Sequence, residues 1–503
     1  MNTAKILNFP EHELVQAPRE ELITMVQTLR TENIALRKKL AEKDAELEKQ
    51  TKKAINKTAN QPTSKQAEFD KKTGATKKSR KRRHAGRKGA GNKSKPAPDV
   101  VHENALNKCP ECQNDLAGQP VVEAVSRIVE DIAPIPEKTI VSKEVQERKW
   151  CPTCSKLVAS CSEAALPRSD IGVRAMCLIA YLWVVSAISM PGIVAFLQSF
   201  FRLQLSTAGL SRMMIRLANI FAPVYEEILE DTKGGKVIFA DETGWRVKGV
   251  LWWLWIFANS RAAYYFPDRR RGSAVVEKIL GTIFSGVLVT DAWVAYRKIE
   301  CLKQTCMAHI LRKIRKFRDA YPQYRSVISF YQKLRRILRD GDRLKEAYQK
   351  AKIEKQVFLR RLDLLKARLA QLLAWRRPNP VLKEIIAKVA RQQEYILTFV
   401  EHEGVPNHNN YGEYIIKKGV LKRKVSGGSM SEEGVKAYAV LQSIAQTCHL
   451  RRLSFIGYMT ASCLHFIRTD KPLSLKDYEI MCATNTRKAD TQTSAATIRD
   501  LAA

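Results

Sequence analysis

The spacing of apolar and polar positions divides the chain into stretches of different period. From Glu20 to Gln50, Leu22, Val26, Leu29, Asn33, Leu36, Leu40 and Leu47 recur at spacings of four and three, with Lys43 the one gap. This is a heptad seam, and a single Asn at an a position fixes register and favours two parallel strands. A plain amphipathic helix packed on the body is the alternative. Thr51–Asp99 is rich in Lys, Thr, Ala, Gly and Ser and poor in large apolar residues, so it is expected to be disordered when free. Strand-like runs follow, among them Ala124–Val129 and Thr139–Lys143. Helical periodicity then dominates from Asp170 to Asp231. Within it, Met190–Leu203 and Ser206–Leu217 read as two helices joined by a short turn, with Ser206 a fitting N-cap.

A β-rich block opens near Gly235. Val237–Ala240 reads as a buried strand between breakers, ending on Asp241, with a turn at Thr243–Gly244. Val250–Ala258 and Ala262–Phe266 continue a meander, closed by Arg269-Arg270-Arg271-Gly272. Ser273–Leu280 is a short helix, Val287–Thr290 the next strand, ending at Asp291, and Gln304–Ala308 a weaker strand leading to His309. Three antiparallel strands, a helix and a parallel strand is the order of a ribonuclease H-like fold, an α/β core with a mixed sheet. From Ala320 to His402, Leu334, Ile337, Leu338, Leu344, Phe358, Leu362, Leu365, Leu369 and Leu372 fall at helical intervals, giving a helical insertion of two to four helices. Glu413 begins another helical stretch, Val435–His449 is amphipathic, and the tail after Thr484 is expected to be disordered.

Charge narrows the function. The 86 Lys and Arg against 51 acids leave a net +35, which points to a polyanion as partner. The excess is spread along the chain, not set beside an apolar anchor, which favours nucleic acid over membrane. Ala175–Phe201 has no charged residue and is long enough to cross a bilayer. However, Ser186, Ser189, Pro191, Gly192, Gln198 and Ser199 interrupt it, and it reads as two buried helices split at Pro191–Gly192. The N-terminus lacks the apolar core of a secretory signal, so a cytoplasmic protein, nucleoid-associated if bacterial, is expected. Lys71–Lys95 carries twelve Lys or Arg and no acid. Its Lys77, Lys78, Arg80, Lys81, Arg82, Arg83, Arg87 and Lys88 suit phosphates without reading sequence; a nuclear localisation signal is the competing reading of Lys77–Arg83. Arg212 and Arg216 share one face of the second helix of the pair, which could enter a major groove as a helix-turn-helix or be ordinary scaffold.

Two sets of side chains carry candidate chemistry. Cys109-Pro-Glu-Cys112 and Cys151-Pro-Thr-Cys154 make the tetrahedral thiolate cage of a zinc ribbon, which suggests structural Zn²⁺ and a reducing compartment. Four thiolates leave no open position, and Cys161 is a spare thiol. The other set is acidic. Two strands that each release an aspartate, Asp241 and Asp291, could place two carboxylates side by side, and like charges that close need a cation between them. Oxygen ligands suit Mg²⁺ or Mn²⁺, and a pair of such ions serves phosphodiester displacement. For either Asp alone, capping the next turn is an equal reading. A third acid is expected near Glu413, with Glu432 or Glu433, and then Glu403, as fallbacks. Glu242 should point to the opposite face of its strand, in a supporting or solvent role. Lys417, Lys418, Lys422, Arg423 and Lys424 crowd behind Glu413 where they suit phosphates. His309 either orients a phosphate or a ligand carboxylate, or is a core histidine near Cys306.

Taken in order, these residues resemble the transposases of insertion-sequence family 66, in the Asp-Asp-Glu recombinase class. The resemblance covers nearly the whole chain. It rests on the zipper-like start, the basic Gly-rich tail, the Cys knuckles, Ala240–Trp245 (A-D-E-T-G-W), Thr290–Tyr296 (T-D-A-W-V-A-Y), Cys306–Lys313 (C-M-A-H-I-L-R-K), and N-N-Y-G-E followed by R-K-V-S-G-G. It implies that Asp241, Asp291 and Glu413 form the metal-binding triad of an enzyme that cuts transposon ends and joins them to target DNA. It also implies a helical insertion before the Glu. The family usually reads N-N-x-A-E-R where this chain has Gly412 and Tyr414; Lys417 and Lys418 could stand in for the missing Arg. The expected organisation is an arm (1–19), a coiled coil that pairs two protomers (20–50), a basic linker (51–100), a zinc ribbon (101–165), a helical DNA-binding domain (166–232), a first part of the core (233–318), the insertion (319–404), the core completion (405–470) and a tail (471–503). DNA, both terminal repeats and target, is the expected partner, and companion transposition proteins are compatible with the resemblance. A non-catalytic zinc-containing DNA-binding relative and a structure-specific nuclease on the same fold are the alternatives.

Overall fold

The computed structural model describes residues 139–484 apart from 154, 160–161 and 377–379, together with scattered positions between 18 and 46 and position 115. The basic tail (Lys77, Lys78, Arg80, Lys81, Arg82, Arg83, Arg87, Lys88), Cys109, Cys112, Cys154, Ala124–Val129 and the tail after Thr484 lie outside the described residues. Described positions from 20 to 46 are helical. Val26 and Leu36 of the expected seam are exposed in the single chain. Thr139–Lys143 is not a strand: 139–147 have no regular structure, and Ile140 and Val141 are 96% and 90% exposed. Strand-forming side chains do not hold a strand that has neither a pairing neighbour nor a core to cover. The hairpin comes later. β1 (Arg148–Cys151) pairs antiparallel with β2 (Lys156–Ala159), so Cys151 ends β1 and Pro152 and Thr153 enter the hairpin's turn.

Four helices follow, α1 (Val173–Val184), α2 (Met190–Phe201), α3 (Thr207–Ile220) and α4 (Ala222–Lys233). The uncharged run does form two helices, but Pro191 opens the second instead of splitting the pair. It sits in the first turn, where its missing N–H is no loss, behind Ser189, whose hydroxyl accepts from Gly192 N. Ser206 caps α3 by accepting from Gly209 N at 3.0 Å. Among the described residues, no helix is long and apolar enough to cross a membrane.

The centre is a five-stranded mixed sheet, β3 (Val237–Val247), β4 (Val250–Ala258), β5 (Ala263–Asp268), β6 (Ile283–Thr290) and β7 (Glu300–Thr305), in the order β5-β4-β3-β6-β7. The first three strands are antiparallel; β6 and β7 add parallel to β3. Order and directions are compatible with a ribonuclease H-like core. β3 is longer than its sequence implies. It does not turn at Thr243–Gly244, because β4 offers partners from Thr243↔Leu254 to Val247↔Val250. The turn is at Lys248–Gly249, both at positive φ (48° and 80°), as a two-residue hairpin loop demands. Pro267 is tolerated because β5 is an edge strand.

Alternation along β3 and β6 divides the core in two. Ile238, Ala240 and Leu288 face one side, where α5 (Ser273–Leu280) crosses between β5 and β6 and α1–α4 join the same cluster. Phe239, Val287 and Val289 face the other, packed with α6 (Met307–Ala320) and the insertion: α7 (Arg325–Gln349), α8 (Lys355–Leu373), α9 (Pro380–Ala390) and α10 (Thr398–Glu401). α11 (Asn410–Ser426), α12 (Glu432–Leu450) and α13 (Phe455–Thr469) complete the body. Gly428 follows α11 at φ 134°, and a Cβ there would meet Arg246 O at 2.1 Å. The glycine lets Ser429 bond the backbone of Arg246 and Lys248 and tie the end of α11 to the end of β3.

Candidate active site

The parallel pairing of β3 with β6 ends at Phe239↔Val289. Asp241 and Asp291 each lie two residues beyond that rung, Asp241 within β3 and Asp291 just past the end of β6. Asp241 is buried and Asp291 half-buried. Glu413 lies in the first turn of α11, and its charge acts on Asp241. Its segment is fastened at three points. Asn409 Nδ2 donates to Ala240 O at 2.9 Å, Asn409 N to Cys306 Sγ at 3.1 Å, and Met307 N to Asn407 O at 3.0 Å. Cys306 N in turn donates to Thr290 O at 2.7 Å, next to Asp291. The Asn-rich turn thus joins the ends of β3 and β6 to the start of α11.

The acids repel one another. Burial pushes the Asp241 carboxyl well up, and the charges of Glu242, Asp291 and Glu413 push it further. Asp291 is raised to about 7 by burial and by Glu242, against the pull of Trp293 N, Lys313 and Arg271. Glu413 is raised by burial and lowered by Arg312 and His408. Asp241 Oδ2 and Glu413 Oε1 are buried without a hydrogen-bond partner. Buried, mutually repelling oxygens with free lone pairs fit a hard divalent cation. The fallback acids have other partners: Glu432 pairs with Arg269 at 3.2 Å beside a cavity of about 880 Å³ along β5, Glu403 acts on Lys345, and Glu433 lies by Lys436 and Lys248.

His309 sits near the start of α6 with Nδ1 3.4 Å from Cys306 Sγ and Nε2 3.5 Å from Glu413 Oε1, too long for a hydrogen bond. Burial and the charges of Arg312 and Lys313 hold it down to about 4, so the ring is neutral near pH 7. It is therefore a buried histidine beside Cys306 and also a neighbour of the candidate acid.

The remaining candidates are distributed as follows. Lys417 is exposed and Lys418 partly so. Arg423 donates to Gly244 O at 3.1 Å, and Lys424 is exposed in the last turn. Lys422 is not a phosphate contact: it is buried, its ammonium donates to Ile188 O beside the Trp183 ring, and burial lowers it to about 7. In α3, Arg212 is exposed, whereas the Arg216 guanidinium is engaged with the carbonyls of Pro167 and Arg168.

Residues 168–437 match the Transposase IS66 family. The chain belongs to that family. Among curated proteins it is similar to two uncharacterised proteins of Sinorhizobium fredii. It is 32% identical to y4jO over 92 residues (18% of this chain, 29% of the relative) and 24% identical to y4qI over 272 residues (46% and 48%). The chain spans less than half the length of these curated relatives.

Sequence reasoning missed the part of this family member's site that lies under the acids. Glu242 does point to the opposite face, but it is buried, not in solvent. Its Oε1 accepts from Arg271 at 2.7 Å and its Oε2 from Tyr296 OH at 2.6 Å. Arg271 lies 4.4 Å from the Trp253 ring and 4.2 Å from that of Trp293, whose backbone N–H donates to Asp291 Oδ1 at 3.0 Å. Asp-Glu at 241–242 and the arginine run were the only signals. Arg312 and Lys313 carry no signal in the sequence beyond the basic helical run that follows His309.

In the metal-free protein, Asp291 is protonated more readily folded than unfolded. Its contribution to stability is present below its ordinary value, 3.8, and is lost as pH rises through about 7. His309 works oppositely, its contribution being lost as pH falls through about 4. A divalent ion must displace the Asp291 proton. The Mn²⁺-induced rise in melting temperature should therefore grow as pH rises from about 5 through about 7; a shift independent of pH over that range removes Asp291 from the ligand set. A Cβ at Gly412 would meet Asn409 Oδ1 at 2.5 Å, where Asn409 is 1% exposed. The buried amide fills the space that the family's alanine would take. Gly412→Ala should lower the melting temperature, because overpacking of about 1–3 kcal/mol exceeds a helix-propensity gain of up to about 1 kcal/mol.

Proposed function

We propose that this chain is a DNA transposase that cleaves transposon ends and joins them to target DNA, with Asp241, Asp291 and Glu413 holding two Mg²⁺ or Mn²⁺ ions. The observation that carries this reading, beside the family match, is the buried Asp241 carboxyl, which has an unpartnered oxygen and is pushed up by the charges of Asp291 and Glu413, just past the end of a parallel strand pair. Bound there, two divalent ions stabilise the attacking and leaving oxygens of an in-line phosphodiester displacement. The protein's own groups do the rest. Asn409 fixes the start of α11. Arg271 and Tyr296 hold the Glu242 charge beneath the acids. Lys313, drawn by Asp291, and Arg312, drawn by Glu413, supply positive charge beside the carboxylates where a phosphate would lie. Lys417, Lys418 and Lys424 on α11, and Arg212 on α3, are the described candidates for DNA backbone contacts, which position without specifying.

Outside or at the edge of the described residues, the basic tail would add sequence-independent affinity. Cys109, Cys112, Cys151 and Cys154 would hold a structural Zn²⁺. The N-terminal helix would pair two protomers, as joining two DNA ends requires, and action on DNA puts the work in the cytoplasm. The test is strand transfer with labelled transposon ends in Mg²⁺ or Mn²⁺. Asp291→Asn and Glu413→Gln should both lose cleavage and joining. Wild-type product from Glu413→Gln returns the third-acid role to another residue, and salt-sensitive binding without cleavage by the wild type leaves a DNA-binding protein only.

A further inference from the structure

Glu413 has a second set of neighbours that the transposition reading does not use. Cys306 immediately precedes α6 and His309 follows one turn later, so a Cys-x-x-His pair opens the helix beside the third acid. One ligand atom from each of Cys306, His309 and Glu413 lies within 4.8 Å of the other two. Cys306 and His309 are buried (0% and 7% exposed), and His309 Nε2 and Glu413 Oε1 lack hydrogen-bond partners. The cluster is built into the backbone through Cys306 N to Thr290 O and Asn409 N to Cys306 Sγ, so its members come together with the site itself.

The donor chemistry of the two sets differs. Asp241 and Asp291 offer only oxygen, the preference of Mg²⁺ and Mn²⁺. Sulfur, imidazole nitrogen and one carboxylate oxygen suit Zn²⁺ or Cd²⁺, and three protein ligands with a fourth position open is a common zinc arrangement. Glu413 is the member common to both. We infer that Cys306, His309 and Glu413 form a thiophilic metal site that competes with the acidic pair for Glu413, so that Zn²⁺ or Cd²⁺ bound there withdraws the third carboxylate and inhibits strand transfer. Binding forms a metal–sulfur bond and releases the thiol proton to solvent; no electron is transferred. Arg312 and Lys313 flank the cluster and oppose a cation, while the thiolate and carboxylate supply two negative charges against them. The inference rests on the reading of Glu413 as third acid only for inhibition; metal binding stands apart from it.

The test uses the full chain with its other metal sites saturated, dialysed against Cd²⁺ and assayed for bound metal. Wild type should hold one more equivalent than Cys306→Ser or His309→Gln, and Cys448→Ser, which removes a buried thiol elsewhere, should match wild type. Glu413→Gln keeps the thiol and should weaken the extra equivalent, which covers the case in which Cys306→Ser does not fold. Equal stoichiometry across the folded variants overturns the site. In Mn²⁺-supported strand transfer, Zn²⁺ should inhibit wild type at a concentration at least about tenfold lower than it inhibits Cys306→Ser. Equal inhibition of the two, with the extra equivalent present in wild type, overturns the sharing of Glu413. Absence of strand transfer from wild type stripped of Zn²⁺ and Cd²⁺ and supplied with Mn²⁺, with the extra equivalent taken up in the binding assay, counts against the transposase reading and supports the metal site.

Discussion

Asp241→Asn is expected to lower strand transfer by on the order of a thousandfold while leaving the metal-free fold as stable as wild type or more so. The first half follows from losing one anionic ligand of the ions that carry the transition-state charge, a matter of several kcal/mol, where each 1.36 kcal/mol is about tenfold in rate. The second half separates this residue from a structural acid. Asp241 is buried, its Oδ2 has no partner, and burial and three neighbouring acids disfavour its charge. Its one hydrogen bond, Oδ1 accepting from Glu242 N at 2.9 Å, can be kept by an amide oxygen of the same shape. Thermal melts with and without Mn²⁺ complete the experiment: the wild type should gain stability from the ion and the variant should gain little. An Asn variant that melts several degrees lower without metal, and still responds to Mn²⁺ like wild type, would make Asp241 a structural residue and remove the proposed chemistry.

The largest expected loss of stability lies beneath the acids. Arg271→Met leaves Glu242 buried with its charge uncompensated, and breaking a buried pair in this way typically costs about 3–5 kcal/mol. The pair is well enclosed, with side-chain exposures of 13% and 3%. The guanidinium also lies over Trp253 and Trp293, so its loss loosens the loop that presents Asp291. Adding Glu242→Gln to Arg271→Met should recover much of the loss, since the stranded charge is gone and Tyr296 retains an acceptor. Denaturant unfolding of the two single variants and the double variant measures this coupling. Additive effects would show that Arg271 acts by packing alone.

Much of the arrangement is written locally. Ser206 announces a helix because a hydroxyl there satisfies an otherwise unbonded N–H, and the structure has that bond. The strands before Asp241 and Asp291 are legible because short apolar runs of this kind bury as strands, and the parallel pairing of β3 with β6 brings their ends together. The apolar spacing of Leu334–Leu372 gives helices because one face must be buried. The order of motifs that identifies the family is also plain in the residues. Other features depend on partners distant in sequence. β3 continues through Gly244 to Val247 because β4 supplies hydrogen bonds that no local rule reports, while Thr139–Lys143, with similar propensity and no partner, forms no strand. Lys422 reads as a phosphate ligand until α11 packs on the carbonyl of Ile188. Arg271 finds Glu242 across 29 residues, and Cys306, His309 and Glu413 meet across more than a hundred. Period and propensity determined which side chains share a face; only chain closure and packing decided which charges would have to share a buried space.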